Sequence, residues 1–154
     1  MSVLVARSPE AVQHLLALRW AEAQREARSV LPPTHLSLEI GESPHFRTAR
    51  GFATTQNLGE NRFHIKFAEK VARCSEDRLD ALIRHELGHV LDLSVERSVL
   101  DEWAYGRGVS LPRTLESRAD ALALALWGKL LCYDAEDVQS LSFGVFPRPE
   151  RLGA

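Results

Sequence analysis

A short motif, His-Glu-x-x-His at residues 85–89, constrains this chain more than any other feature. His85 and His89 are four residues apart, so on a helix they share one face and can bind the same metal ion. Glu86 follows the first histidine and can reach a water molecule on that metal without being a ligand. Two neutral imidazoles, an open coordination position and a proton-accepting carboxylate are what hydrolytic Zn²⁺ chemistry requires. The motif therefore predicts a zinc site on a helix, with Glu86 as general base.

The residues around the motif favour the helix that it needs. Leucine, isoleucine and valine recur at helical spacing, and no proline lies between Ser75 and Ser94. Ser75 is a suitable N-cap, because acidic residues follow it in the first turn. Gly88 costs up to about 1 kcal/mol inside a helix, which indicates a neighbour that approaches closely there. Asp92 lies near the metal face, where it either braces a histidine or is a surface acid near the helix end.

A site with two histidines needs a third protein ligand from elsewhere in the chain. No histidine follows His89, and the longer form of the motif with a third histidine is absent. The ligand must then be a downstream carboxylate or Cys132. Glu116 and Asp120 are the best source, because they lie one turn apart on one face of a second helix-forming stretch. One of them can bind the metal while the other orients a ligating histidine through its second ring nitrogen.

The segment between these two helices, residues 95–113, has no sustained period, although residues 100–105 are predicted to form a short helix. Asp101 and Glu102 are the other carboxylates that could complete the metal site, but nothing places them on a rigid element facing the histidines. Tyr105 is a candidate for stabilising the oxyanion of a tetrahedral intermediate. Packing as an ordinary aromatic side chain is the alternative for Tyr105.

The remaining patterns predict an α+β fold in one domain that spans residues 1–154. The predicted elements are an N-terminal helix at 8–29, strands at 35–40, 51–56 and 62–67, the motif helix from 75 and a glutamate-bearing helix at 115–133. The last two strands form a hairpin, so we expect a small three-stranded, mostly antiparallel sheet. A last short helix could begin at residues 134–139, and residues 143–154 are expected to form an irregular tail.

Composition excludes several classes of protein. The hydrophobic share of 45% and the charged share of 26% are ordinary for a soluble globular chain of 154 residues. A net charge of −2 gives no electrostatic footprint for nucleic acid or for an anionic membrane. No apolar stretch is long enough to span a membrane, and the apolar run at residues 1–6 is too short for a signal peptide. Cys74 and Cys132 lie far apart in sequence and form no Cys-x-x-Cys motif, which favours two unpaired thiols in a reducing compartment. We therefore expect a cytoplasmic protein with neither a nucleic-acid nor a membrane partner.

The two motifs together resemble those of the gluzincin zinc metallopeptidases, which carry His-Glu-x-x-His on one helix and a glutamate on the next. The separation of 116 − 89 = 27 residues between His89 and Glu116 suits compact members such as the minigluzincins and the ImmA/IrrE-type domains. The resemblance covers roughly residues 34–131. It implies that Glu116 is the third ligand and that Asp120 is the carboxylate that orients a ligating histidine.

The same resemblance implies a place for the substrate. In that family the strand just before the active helix pairs with the substrate backbone, which would make residues 61–67 a peptide-binding edge. His64 points away from the apolar side of this strand. It is either a surface residue or a contact for the substrate.

The function expected from the sequence is that of a zinc-dependent metallopeptidase acting on a peptide or protein. Zn²⁺ would be held by His85, His89 and Glu116, and Glu86 would take a proton from the zinc-bound water and pass it to the leaving amine. The alternative belongs to another class, a metal-bound regulatory or interaction domain. Such a domain would act on one dedicated protein partner and have little general peptidase activity.

Overall fold

A computed structural model describes residues 8–47 and 52–128 of the chain. These residues form α1 (Pro9–Glu26), β1 (His35–Ile40), β2 (Ala53–Gly59), β3 (Arg62–Phe67), α2 (Glu76–Ser94), α3 (Arg97–Gly106) and α4 (Leu115–Trp127). Short 3₁₀ turns at Pro44–Arg47 and Glu69–Arg73 connect some of them. The predicted α+β class is thus confirmed. Cys132 and the segments predicted at 134–139 and 143–154 lie outside the described residues.

Local capping signals set the starts of three helices. Ser8, Ser75 and Thr114 each accept a hydrogen bond from a backbone amide three residues ahead, at 3.1–3.2 Å. The last helix, α4, ends earlier than its sequence pattern suggested, at Trp127. Gly128 adopts a left-handed conformation with φ of 68°, and its amide bonds back to the Leu124 carbonyl, which closes the helix.

The sheet has the strand order β1-β3-β2. The expected β2–β3 hairpin is present and antiparallel, whereas β1 runs parallel to β3, so the sheet is mixed rather than mostly antiparallel. β3 lies between the other two strands, and its inward side chains are the most deeply buried of the three strands. Those side chains are Phe63, Ile65 and Phe67, each at most 2% exposed.

This order corrects the expectation that residues 61–67 form a peptide-binding edge. β3 has a partner strand on each side, so its backbone is not free to pair with another chain. The strand that ends the sheet beside α2 is β2. Any edge available for pairing at the site is therefore that of residues 53–59.

Helix α2 crosses the inner face of the sheet and packs against α1 and α4. Its apolar residues Leu79, Ile83, Leu87 and Val90 join the inward side chains of β3 in the main core cluster. On the side towards α4, Gly88 meets the backbone of Ala119 directly. A Cβ atom at Gly88 would overlap the Ala119 carbonyl oxygen and stand only 2.9 Å from the carbonyl carbon. The close neighbour that Gly88 indicated is therefore α4 itself.

An ion-pair cluster around the buried Arg118 side chain ties the C-terminal half of α2 to α3 and α4. Arg118, 1% exposed, donates hydrogen bonds to Asp92 and Asp101 at 2.9 Å each and to the Pro112 carbonyl at 3.2 Å. Asp92 therefore takes neither of the two roles considered for it, since its carboxylate, 7% exposed on the side chain, pairs with Arg118. Asp101 is engaged by the same guanidinium.

Within the described residues, none of the helices is long and apolar enough to cross a lipid bilayer.

Substituting Gly88 with alanine tests the contact between α2 and α4. Helix propensity alone predicts that alanine stabilises α2 by up to about 1 kcal/mol. Because the new methyl group would overlap the Ala119 carbonyl, we expect G88A to destabilise the fold by about 1–3 kcal/mol instead. Urea denaturation measures the difference.

The matched control is Gly106→Ala in α3, where an added Cβ meets no atom within 4 Å. G106A should leave the free energy of unfolding unchanged or raise it slightly. If G88A proves as stable as G106A, the close contact at Gly88 does not limit how α2 and α4 pack.

Candidate metal centre

Both histidines of the motif lie on the face of α2 that meets α4. His85 is 3% exposed, and the side chain of His89 is 12% exposed. Their ring centroids are 4.7 Å apart, with the ring planes nearly perpendicular. The four-residue helical spacing thus brings two imidazoles together at one place, as the motif predicts.

Glu116, in the first turn of α4, reaches both imidazoles. Its Oε1 lies 3.0 Å from His85 Nε2, and its Oε2 lies 3.2 Å from His89 Nε2. One ligand atom from each of the three side chains lies within 4.8 Å of the others. Two imidazole nitrogens and one carboxylate oxygen at such separations can bind one metal ion.

Asp120 lies one turn further along α4 and contacts Nδ1 of His85, whereas Glu116 contacts Nε2 of the same ring. Its Oδ1 accepts a hydrogen bond from His85 Nδ1 at 2.5 Å, in a buried environment. A proton held on Nδ1 leaves the Nε2 lone pair of a neutral ring directed at the cluster, which is the tautomer that metal binding requires. The geometry thus separates the two carboxylates of α4, with Glu116 at the ligand positions and Asp120 behind His85.

The charges of these groups favour a cation between them. Burial by itself lowers the pKa of His85, but hydrogen bonds to the Asp120 and Glu116 carboxylates outweigh burial and raise that pKa well above its ordinary value. The hydrogen bonds to His85 and His89 hold the pKa of Glu116 far below its usual range. In a metal-free chain a proton supplies the positive charge, and a divalent ion would replace it.

Glu86 is buried beside the cluster. It takes the place neither of Glu116, which contacts both imidazoles, nor of Asp120, which contacts His85 Nδ1. Its Oε1 accepts a hydrogen bond from the Thr55 hydroxyl of β2 at 2.7 Å. Its other oxygen, Oε2, lies 3.9 Å from His85 Nε2. Glu86 therefore stands next to the ligand positions without occupying one of them.

A cavity of about 260 Å³ opens in front of these groups. It is lined by Ala53, Thr54, Thr55, Glu86, His89, Leu93, Leu115 and Glu116. Glu116 is 75% exposed on its side chain, so the cluster is reached directly from solvent. Leu93 and Leu115 in the lining are 41% and 58% exposed, so part of the cavity surface is apolar.

Two residues suggested by the sequence lie away from this cavity. His64 is on the opposite face of the sheet from Phe63 and Ile65, where its ring hydrogen-bonds to Ser37 and Glu39. Tyr105 is 65% exposed on α3 and does not line the cavity. The geometry therefore lends no support to the predictions that Tyr105 stabilises an oxyanion or that His64 touches substrate.

Thr55 is the residue of this site that the sequence did not reveal. It precedes Glu86 by 31 residues and belongs to a strand with no chemical motif of its own. The alternation of β2 places its side chain on the inner face of the sheet, opposite Ile65. That pattern alone could show that Thr55 faces a helix, but not which atom of the helix it would meet.

Metal binding can be tested by removing one carboxylate at a time. We expect the wild-type protein to bind one zinc ion per chain in a competition titration. Glu116→Ala should weaken binding by more than about 100-fold, and Asp120→Asn by about 10–100-fold, because the latter only orients a ligand.

Glu102→Ala is the matched control, since Glu102 is an exposed acid on α3 outside the cluster. It should bind zinc as the wild type does. An unchanged affinity in E116A together with a large loss in a variant of Asp101 would show that the third ligand is wrongly assigned.

Zinc affinity should also depend on pH. The hydrogen bonds to Asp120 and Glu116 raise the pKa of metal-free His85, so its ring keeps a proton to higher pH than an ordinary histidine and must release that proton when zinc binds. Apparent affinity should thus rise with pH between about 6 and 8, by up to about tenfold per unit for each proton released. Titrations at several pH values measure the slope, and Asp120→Asn should reduce it. A zinc affinity that does not change over that pH range would contradict the assignment of His85 as a ligand.

No protein-family model matches the chain, and no curated protein or solved structure matches it either. The likeness to gluzincins consequently rests on the two motifs alone. What the described residues do establish is a group, His85, His89 and Glu116, within range to bind a metal ion.

Proposed function

We propose that this protein is a zinc-dependent metallopeptidase. The observation that carries the proposal is that three side chains able to bind one metal ion lie together, and that a fourth group, Glu86, is held beside them by Thr55 and lies outside that group. A purely structural metal site has no need of such a group, because all of its positions are filled by ligands. A hydrolytic site requires it.

His85, His89 and Glu116 would hold the ion, and their donor set suits zinc. Two imidazoles and one carboxylate leave room for a further group, as in catalytic rather than structural zinc sites. Zinc bound there would supply positive charge that polarises a carbonyl and makes a water molecule more acidic. Asp120 would keep His85 oriented and in the tautomer that presents Nε2.

Glu86 is the group that would move protons. Its Oε2 faces the ligand cluster, so it can accept a proton from the attacking water. The same carboxyl can then donate that proton to the leaving amine. Burial keeps the proton from being lost to bulk solvent between the two transfers.

The shape of the site favours a polypeptide substrate. A cavity of about 260 Å³ is smaller than most sites for whole cofactors or small molecules, but it can receive a side chain. The edge strand β2 borders it through Ala53, Thr54 and Thr55, and an extended peptide can pair with such an edge. The exposed leucines Leu93 and Leu115 favour an apolar side chain near the bond that is cleaved.

Glu86→Gln tests the catalytic role, because it keeps the shape of the side chain and removes the base. We expect E86Q to bind zinc as the wild type does and to lose about 10²–10⁴-fold in turnover. The measurement is cleavage of a peptide library by zinc-loaded protein, and the wild-type activity should disappear with a chelator.

Glu102→Gln, with an exposed acid on α3, serves as the control and should cleave like the wild type. Full activity in E86Q would rule out the proposed mechanism. A wild-type protein that binds zinc but cleaves nothing in the library would favour the alternative function, a metal-bound domain that acts on one dedicated protein partner.

A further inference from the structure

The hydrogen bond between Thr55 and Glu86 joins the edge strand of the sheet to the proposed general base. Thr55 Oγ1 lies 2.7 Å from Glu86 Oε1 and 3.5 Å from the Glu86 main-chain oxygen. The Thr55 hydroxyl donates this hydrogen bond and Glu86 Oε1 accepts it. The two residues come from different elements, β2 and α2, so tertiary packing alone makes this contact.

This bond gives the two oxygens of Glu86 different tasks. Oε1 is bound to Thr55, while Oε2 lies 3.9 Å from His85 Nε2, on the side of the metal ligands. A glutamate has three side-chain torsions, so without an anchor the carboxylate could turn and present either oxygen in several positions. The contact with Thr55 selects the arrangement in which one oxygen faces the ligand cluster.

The same bond separates Glu86 from the ligand set. His85, His89 and Glu116 already bring three donor atoms within 4.8 Å of one another. A second mobile carboxylate beside them would compete with Glu116 for a metal ion, and a carboxylate bound to the metal is a poorer base. With Oε1 bound to Thr55, Glu86 stays beside the cluster.

We propose that Thr55 is a positioning residue for catalysis, which holds Glu86 in the orientation of a base and keeps it out of the metal coordination. This inference rests on the proposed peptidase function. Thr55 takes no part in proton transfer itself and acts only through Glu86. The alternative is that Thr55 merely satisfies a buried carboxylate and adds to the stability of the fold.

A pair of variants separates the hydroxyl group from the methyl group of Thr55. T55V keeps the shape and loses the donor, whereas T55S keeps the donor and loses the methyl group. With zinc-loaded protein, we expect T55V to lower kcat by about 10–100-fold while KM changes by less than about threefold. Zinc affinity should stay within about threefold of the wild type, and T55S should recover most of the lost kcat.

Two outcomes of these activity measurements would overturn the proposal. One is a T55V variant that turns over like the wild type, and the other is a T55S variant that is as slow as T55V. A merely structural role predicts lower stability in T55V with kcat unchanged at temperatures where the protein is folded. The zinc titration shows whether any loss of kcat arises from lost metal.

A second measurement does not depend on activity. In zinc-loaded protein, T55V and Glu86→Ala are combined in a double-mutant cycle read by urea unfolding. Each variant changes the unfolding equilibrium constant by some factor. If Thr55 holds Glu86, the factor for the double variant should be about fivefold to tenfold smaller than the product of the factors for the two single variants. Independent effects would show that the bond is not formed in solution and would overturn the proposal.

The two measurements distinguish failure of this inference from failure of the proposed function. A wild-type protein without peptidase activity defeats the proposed function and, with it, the catalytic role of Thr55, whatever the cycle gives. An active wild type that loses turnover in E86Q but not in T55V leaves the function intact and overturns the role of Thr55 alone.

Discussion

The candidate site depends on how closely α2 and α4 approach each other. Gly88 lets the backbone of Ala119 lie directly against α2, in a space that any side chain would fill. Gly88 stands between the two histidines of the motif, and Ala119 stands between Glu116 and Asp120. The contact between Gly88 and Ala119 thus falls between the two members of each pair along its own helix. A larger distance between the helices would leave each pair intact on its own helix but would move the histidines away from the carboxylates.

Two groups of charges lie along this helix interface. In one, the buried cation Arg118 is balanced by Asp92 and Asp101. In the other, the carboxylates of Glu116 and Asp120 surround His85, so the charge balance needs a proton or a metal ion. Arg118 lies between Glu116 and Asp120 in sequence but points to the first group. Because Asp92 and Asp101 are bound to Arg118, they remain separate from the candidate metal ligands.

The sheet contributes to the site through its edge rather than its centre. β3 fills the middle of the sheet and supplies the most buried apolar side chains, whereas β2 ends the sheet beside α2 and lines the cavity. Inward residues of β2 therefore reach α2, and Thr55 meets Glu86 in this way. One strand can thus border the space for a substrate and also hold the proposed base.

The sequence by itself determined the features that depend on neighbours along the chain. Helical spacing placed His85 with His89 and Glu116 with Asp120, serine and threonine caps marked helix starts, and alternation identified the inward side of β3. The strand order, the partners of Asp92 and the contact of Thr55 with Glu86 were decided only by the tertiary structure. Each joins residues on different elements, and local periodicity shows which face is buried but not what lies against it. For the same reason the residues alone left open which carboxylate of α4 would reach the imidazole Nε2 atoms, and the packing of α4 on α2 places Glu116 there.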